Sequence, residues 1–162
     1  MTSRSATDPQ PSQTRLAILV VDDDRDTREM YADYLRWRGC DVREAADTKS
    51  ALDQAFASPP AAVVMDLAMP EAGGLDAVQR LRRDPRTAHV AVIICTAYLP
   101  GDRGMRALDE VGYDAYLTKP VLPQELFGEI GRILHKRESD HTFNGSPGFT
   151  TTSAAHRTQP SS

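Results

Sequence analysis

Five short apolar runs, each followed by a stretch of helical spacing, constrain this chain more than any other feature. Residues 16–21, 41–45, 62–65, 90–95 and 114–118 read as strands bounded by turn-forming residues. The first, third and fourth contain no polar side chain, which suits strands covered on both faces of a sheet. Residues 25–38, 48–57, 75–83, 102–110 and 123–136 read as helices. In the first, Met30, Tyr31, Tyr34 and Leu35 recur on one side, with Asp24 as N-cap and Gly39 as stop. The second carries Ala51, Leu52, Ala55 and Phe56, and the fifth Leu126, Ile130, Ile133 and Leu134. The fourth is the weakest, since Gly104 costs it about 1 kcal/mol relative to Ala. Strict alternation makes the fold class α/β: a doubly wound, five-stranded parallel sheet with five helices, because each right-handed crossover must pass over one face.

The flanks differ from this core. Residues 1–14 are rich in Ser, Thr, Gln and Pro, and residues 138–162 in Ser, Thr, Gly and Pro, so both are expected to be disordered around a single domain at 15–137. A formal net charge of -4 and the lack of a basic stripe argue against direct nucleic-acid binding. No apolar run reaches the roughly 18 residues of a membrane span, and residues 1–14 have no signal-peptide core. Membrane insertion is therefore not expected, and the expected compartment is cytoplasmic. Cys40 and Cys95 fall in or beside strands and read as small hydrophobes.

Parallel strands bring their carboxyl ends to one edge, where ligands of open α/β sheets bind. Here that edge receives Asp22 and Asp23 from the first strand, Asp66 from the third, Thr96 from the fourth and Lys119 from the fifth. Taken singly, each has an ordinary explanation as a helix cap, a strand end or an ion-pair partner. Together they make a constellation, because converging carboxylates repel and require a cation. A hard, oxygen-liking ion such as Mg2+ fits the donor set. Lys119 supplies a compact charge for a phosphoryl oxygen, and Asp66 is the best candidate for a carboxylate nucleophile.

The motifs Val20-Val21-Asp22-Asp23-Asp24, Val64-Met65-Asp66-Leu67-Ala68-Met69-Pro70 with Gly74, Cys95-Thr96-Ala97 and Tyr116-Leu117-Thr118-Lys119-Pro120 resemble the receiver domain of two-component response regulators. The resemblance implies a flavodoxin-like sheet of order 2-1-3-4-5 and a Lys119–Pro120 bond in cis. It also implies that Asp66 is the phosphoacceptor, that Asp23, Asp66 and the Ala68 backbone carbonyl hold Mg2+ (or Mn2+) with Asp22 acting through water, and that Thr96, Ala97 and Lys119 bind the phosphoryl oxygens. Tyr116 would move with Thr96 as a switch, and Asp66 and Lys119 would carry the catalysis. Such a protein catalyses its own aspartyl phosphorylation and dephosphorylation. Its expected partners are a sensor histidine kinase or a phosphotransfer protein and, since no output segment is read after residue 137, a downstream protein not identified by the sequence. That protein would dock on the fourth helix, fifth strand and fifth helix, including Met105, Leu108, Tyr116 and Val121. Trp37 reads as either an exposed anchor for a partner or, in preference, partial core packing.

Ala68 and Tyr98 depart from the commoner pattern in offering no ready means of placing an attacking water, which implies slow loss of the phosphoryl group. Tyr113 stands where a small residue is usual. One competing reading is a Mg-dependent phosphatase of the haloacid dehalogenase type, with Asp22 as nucleophile and Asp24 as acid, although the chain has no room for the cap of that class. Another is a receiver fold that serves as an interaction module and is never phosphorylated.

Overall fold

The computed structural model describes residues 14–70 and 73–143. Its elements alternate as expected: β1 (Ala17–Val21), α1 (Arg25–Trp37), β2 (Asp41–Ala45), α2 (Thr48–Ala57), β3 (Ala62–Met65), α3 (Gly74–Arg83), β4 (Ala91–Thr96), α4 (Asp102–Val111), β5 (Ala115–Thr118) and α5 (Pro123–Phe143). All strand pairs are parallel, and the sheet order is β2-β1-β3-β4-β5. The three runs without polar residues become the three inner strands, and every residue of β3 and β4 is buried.

Alternation along the strands divides the core in two. Ile18, Val20, Val64 and Ile93 pack with Tyr31 and Leu35 of α1 and with Leu126 and Ile130 of α5. Leu19, Val21, Val63, Met65 and Ile94 face the other way, with Leu52 of α2 and with Val78 and Leu81 of α3. Asp24 caps α1 by accepting from the Thr27 N–H at 3.0 Å. After Arg38 the chain leaves the helix through Gly39, whose φ of 91° lies in the left-handed region.

Several expectations need correction. Helix α5 continues to Phe143, so residues 138–143 are helical and are not part of a disordered tail. The apolar spacing stops at Leu134, but a helix with one face anchored propagates through polar residues, and Arg137 provides a late anchor. Residues 1–13 and 144–162, where the remaining expectation of disorder falls, lie outside the described residues. Met30 is 45% exposed and Trp37 76% exposed, so neither belongs to the core. Trp37 instead lies on the surface against Tyr34, with ring centroids 5.5 Å apart. Gly104 is more than a weak point in α4, since a Cβ there would come 2.5 Å from the Pro100 Cβ.

A polar cluster fastens the amino-terminal edge of the sheet. Asp114 accepts from Arg137 at 2.6 Å, from Arg82 at 3.2 Å and from the Val92 N–H at 2.8 Å. Arg82 also donates to the carbonyls of Gly112 at 2.9 Å and Val90 at 2.7 Å, so α3, β4, α5 and the turn before β5 share one knot. Burial pushes the Arg82 guanidinium below its ordinary pKa even with Asp114 beside it.

Candidate functional site

The adjacent strands β1 and β3 end in register, Val21 beside Met65. One residue further, the Asp66 N–H still donates to the Val21 carbonyl at 3.0 Å, and the Asp22 N–H to the Ala45 carbonyl at 3.1 Å. The sheet ladder therefore fixes the backbone under both acids. Gly74 allows the chain to fold back here, because a Cβ at that position would lie 2.4 Å from the Asp66 carbonyl oxygen and 2.9 Å from the Leu67 Cα.

Asp22 is 3% exposed and Asp66 6% exposed, while Asp23 is open to solvent. Each buried carboxylate accepts from the N–H two residues on: Asp22 from Asp24 and Asp66 from Ala68, both at 2.9 Å. Oxygens of Asp22, Asp23 and Asp66 all lie within 4.8 Å of one another. Lys119 reaches them from the end of β5, its Nζ donating to Asp22 Oδ2 at 2.6 Å and to Asp66 Oδ2 at 3.3 Å. The Lys119 N–H continues the ladder to the Thr96 carbonyl at 2.9 Å, and the Lys119–Pro120 peptide is cis.

Burial pushes the Asp22 carboxyl above its ordinary pKa, even though Lys119 and the Asp24 N–H pull it down. Burial would lower the Lys119 ammonium, but its bonds and attraction to Asp22 and Asp66 outweigh that and hold it above the usual lysine range. Three carboxylates share this edge with the one ammonium of Lys119, which leaves an excess of negative charge. An all-oxygen donor set of this kind matches a hard divalent cation, which Asp22, Asp23 and Asp66 would hold.

Thr96 is fully buried, and its Oγ1 accepts from the Tyr98 N–H at 3.1 Å. Ala97 is exposed beside it. The Tyr116 hydroxyl donates to the Tyr98 carbonyl at 2.5 Å, tying β5 to the loop after β4. Every side chain expected at the edge is thus brought to it, as is the Ala68 backbone. Asp24 serves the helix instead: its carboxylate accepts from both the N–H and the hydroxyl of Thr27, which leaves the dehalogenase-type reading without its acid.

The expected docking face needs revision in detail. Leu108 is 1% exposed and Val121 8% exposed, so both are core residues. The exposed large apolar side chains near the site are Tyr98, Leu99 and Leu122. Sequence reading also missed Arg28, which donates to the Asp22 carbonyl at 2.8 Å, and Tyr31, whose buried hydroxyl donates to the Val121 carbonyl at 2.8 Å. Arg28 reads as one more solvated charge on α1; only its place one turn past the N-cap hints that it can reach back to the strand end. Tyr31 and Lys119 both line a cleft of 380 Å3 between α1 and the β5–α5 turn.

Residues 18–131 match the sequence model of the response regulator receiver domain. The phosphate regulon transcriptional regulatory protein PhoB of Pseudomonas aeruginosa is 34% identical over 119 residues, covering 74% of this chain and 52% of that protein. An uncharacterized 14.6 kDa protein of Leptolyngbya boryana is 39% identical over 112 residues, covering 69% of this chain and 85% of its own length. The chain thus spans about half of PhoB and most of the smaller relative. Among solved structures, the chemotaxis response regulator CheY4 of Vibrio cholerae superposes with a TM-score of 0.68 at 26% identity, covering 74% of this chain and 99% of that one. With its sheet order and its matched motifs, the chain belongs to the response regulator receiver domain family of two-component systems.

Proposed function

We propose that Asp66 accepts a phosphoryl group from the phosphohistidine of a sensor histidine kinase or phosphotransfer protein, or from a small phosphodonor. A divalent cation, Mg2+ or Mn2+, would be held by Asp22, Asp23, Asp66 and the Ala68 carbonyl, and when bound it supplies charge neutralisation for the transferring group. The observation that carries this reading is the buried Asp66 carboxylate, flanked by two further acids and facing one ammonium.

Asp66 Oδ1 accepts from the Ala68 N–H at 2.9 Å and Oδ2 from Lys119 at the longer 3.3 Å, so Oδ2 is the oxygen more readily freed to attack phosphorus. As the new O–P bond forms, the P–N bond of the donor breaks and its electron pair returns to the imidazole. Lys119 exchanges Asp22 for a phosphoryl oxygen, and the Thr96 hydroxyl and Ala97 N–H donate to the others. The cleft beside α1 gives a donor domain access, and exposed Met30 on its rim provides apolar contact. Output leaves by contact of the α4–β5–α5 side with a downstream protein, in the cytoplasm and without direct nucleic-acid binding by this domain. Among the described residues no helix is long and apolar enough to cross a membrane.

Acetyl phosphate labelling tests the site. Wild-type protein takes label only with Mg2+ or Mn2+ present, and Asp66→Asn takes none. Equal labelling of the two proteins would place the acceptor elsewhere. A wild type that neither labels nor binds beryllofluoride would make the fold an interaction module.

A further inference from the structure

Tyr113 occupies the turn between α4 and β5. Its ring meets Tyr116 edge-on, with centroids 6.2 Å apart and planes at 69°. Its hydroxyl donates to Asp109 Oδ1 at 3.1 Å, on the last turns of α4. Tyr116 in turn donates to the Tyr98 carbonyl, and the Tyr98 N–H donates to Thr96 Oγ1. Direct contacts therefore run from α4 through two aromatic rings and one loop residue, Tyr98, to the Thr96 hydroxyl at the end of β4.

We propose that Tyr113 is a positioning residue that holds the Tyr116 ring against the β4–α4 loop and thereby sets how readily Thr96 and Ala97 receive a phosphoryl group. The proposal rests on the phosphoacceptor reading above. Ala97, Tyr98 and Leu99 are all exposed, and the two hydrogen bonds at the Tyr98 peptide fasten this loop to Tyr116 and Thr96. A Tyr116 ring free to change rotamer would release the carbonyl and leave the loop to be ordered when the ligand binds. The ring of Tyr113 resists that release, since an edge-on aromatic pair shifts a conformational equilibrium by about 2- to 12-fold. Ordering the loop beforehand strengthens binding by up to the same factor.

A purely structural account would have Tyr113 cover the apolar cluster under α3, against which it packs. Three variants of the full chain separate the accounts. Tyr113→Phe keeps the ring and loses the bond to Asp109, Tyr113→Leu keeps apolar cover and loses the ring, and Tyr116→Leu removes its partner. The readouts are beryllofluoride affinity in saturating Mg2+, followed by fluorine NMR, and Mg2+ affinity alone.

Tyr113→Leu should weaken beryllofluoride binding about 2- to 12-fold with Mg2+ affinity unchanged. Tyr113→Phe should stay within about twofold of wild type, and Tyr113→Leu should add nothing in the Tyr116→Leu background. Wild-type affinity in Tyr113→Leu, or a loss that persists in the Tyr116→Leu background, would overturn the proposal and leave the phosphoacceptor reading standing. A wild type that takes no beryllofluoride would overturn both.

Discussion

Replacing Lys119 with Met tests the electrostatic logic of the site most directly, because the apolar stem is kept and only the ammonium is lost. The ammonium bonds Asp22 at 2.6 Å and Asp66 at 3.3 Å, and all three side chains are mostly buried. Two carboxylate oxygens at the 4.8 Å limit of the cluster repel by about 3.5 kcal/mol at an effective dielectric of about 20. Stripping the cation from such a group leaves uncompensated charge, which costs about 3–5 kcal/mol. At roughly 3–5 °C per kcal/mol for a domain of this size, the metal-free variant should melt about 9–25 °C below wild type. Added Mg2+ then takes over the missing charge and meets no competing ammonium, so it should raise the melting temperature of Lys119→Met more than that of wild type. Circular dichroism melts at low ionic strength, with Mg2+ titrated into both proteins, provide the measurement. If Lys119→Met melts at or above wild type without metal, and Mg2+ shifts both equally, the acids are not the repelling cluster described here.

Glycine substitutions should divide by location. Gly128→Ala and Gly131→Ala place a methyl where no atom lies within 4 Å, inside α5, and each should gain about 0.5–1 kcal/mol by urea unfolding. Gly74→Ala drives its methyl into the Asp66 and Leu67 backbone and should lose about 1–3 kcal/mol in the same assay. Asp114→Ala removes the common acceptor of Arg82, Arg137 and Val92 and should lose about 3 kcal/mol, while the folded variant keeps wild-type beryllofluoride affinity. A change in that affinity would show that the amino-terminal knot reaches the site. The phosphorylated protein should lose its label over minutes or longer, because Ala68 has no polar group and the Tyr98 peptide is committed to Thr96 and Tyr116; decay within seconds would refute that reading.

The strands and their tips are legible in the sequence because a fully buried strand leaves a local signature: Ala62, Val63, Val64 and Met65 admit no polar atom, and Asp66 follows at once. Alternation of strand and helix then places Asp22, Thr96 and Lys119 on the same edge without any coordinate. Side-chain exposure is less legible. Helical spacing puts Met30 with Tyr31 and Leu35, but the sheet covers a narrower stripe of α1 than the apolar residues occupy, and Met30 falls outside it. Leu108 and Val121 show the reverse, inward-facing at positions that a sequence reading assigns to a docking face. The Arg82–Asp114–Arg137 knot joins residues 32 and 23 positions apart, and such long-range ion pairs leave no periodic trace. Tyr113 had no reading because its meaning depends on two partners, Asp109 and Tyr116, that only the fold brings together.

That knot also gives the sheet a mechanical polarity. Arginine forks and a shared aspartate clamp β4 and β5 at their roots, whereas the opposite edge of the sheet carries like charges pressed together. Amide exchange should therefore be slower at the roots of β4 and β5 than at their tips. The chemistry is mounted on the end of the sheet that carries the unbalanced charge.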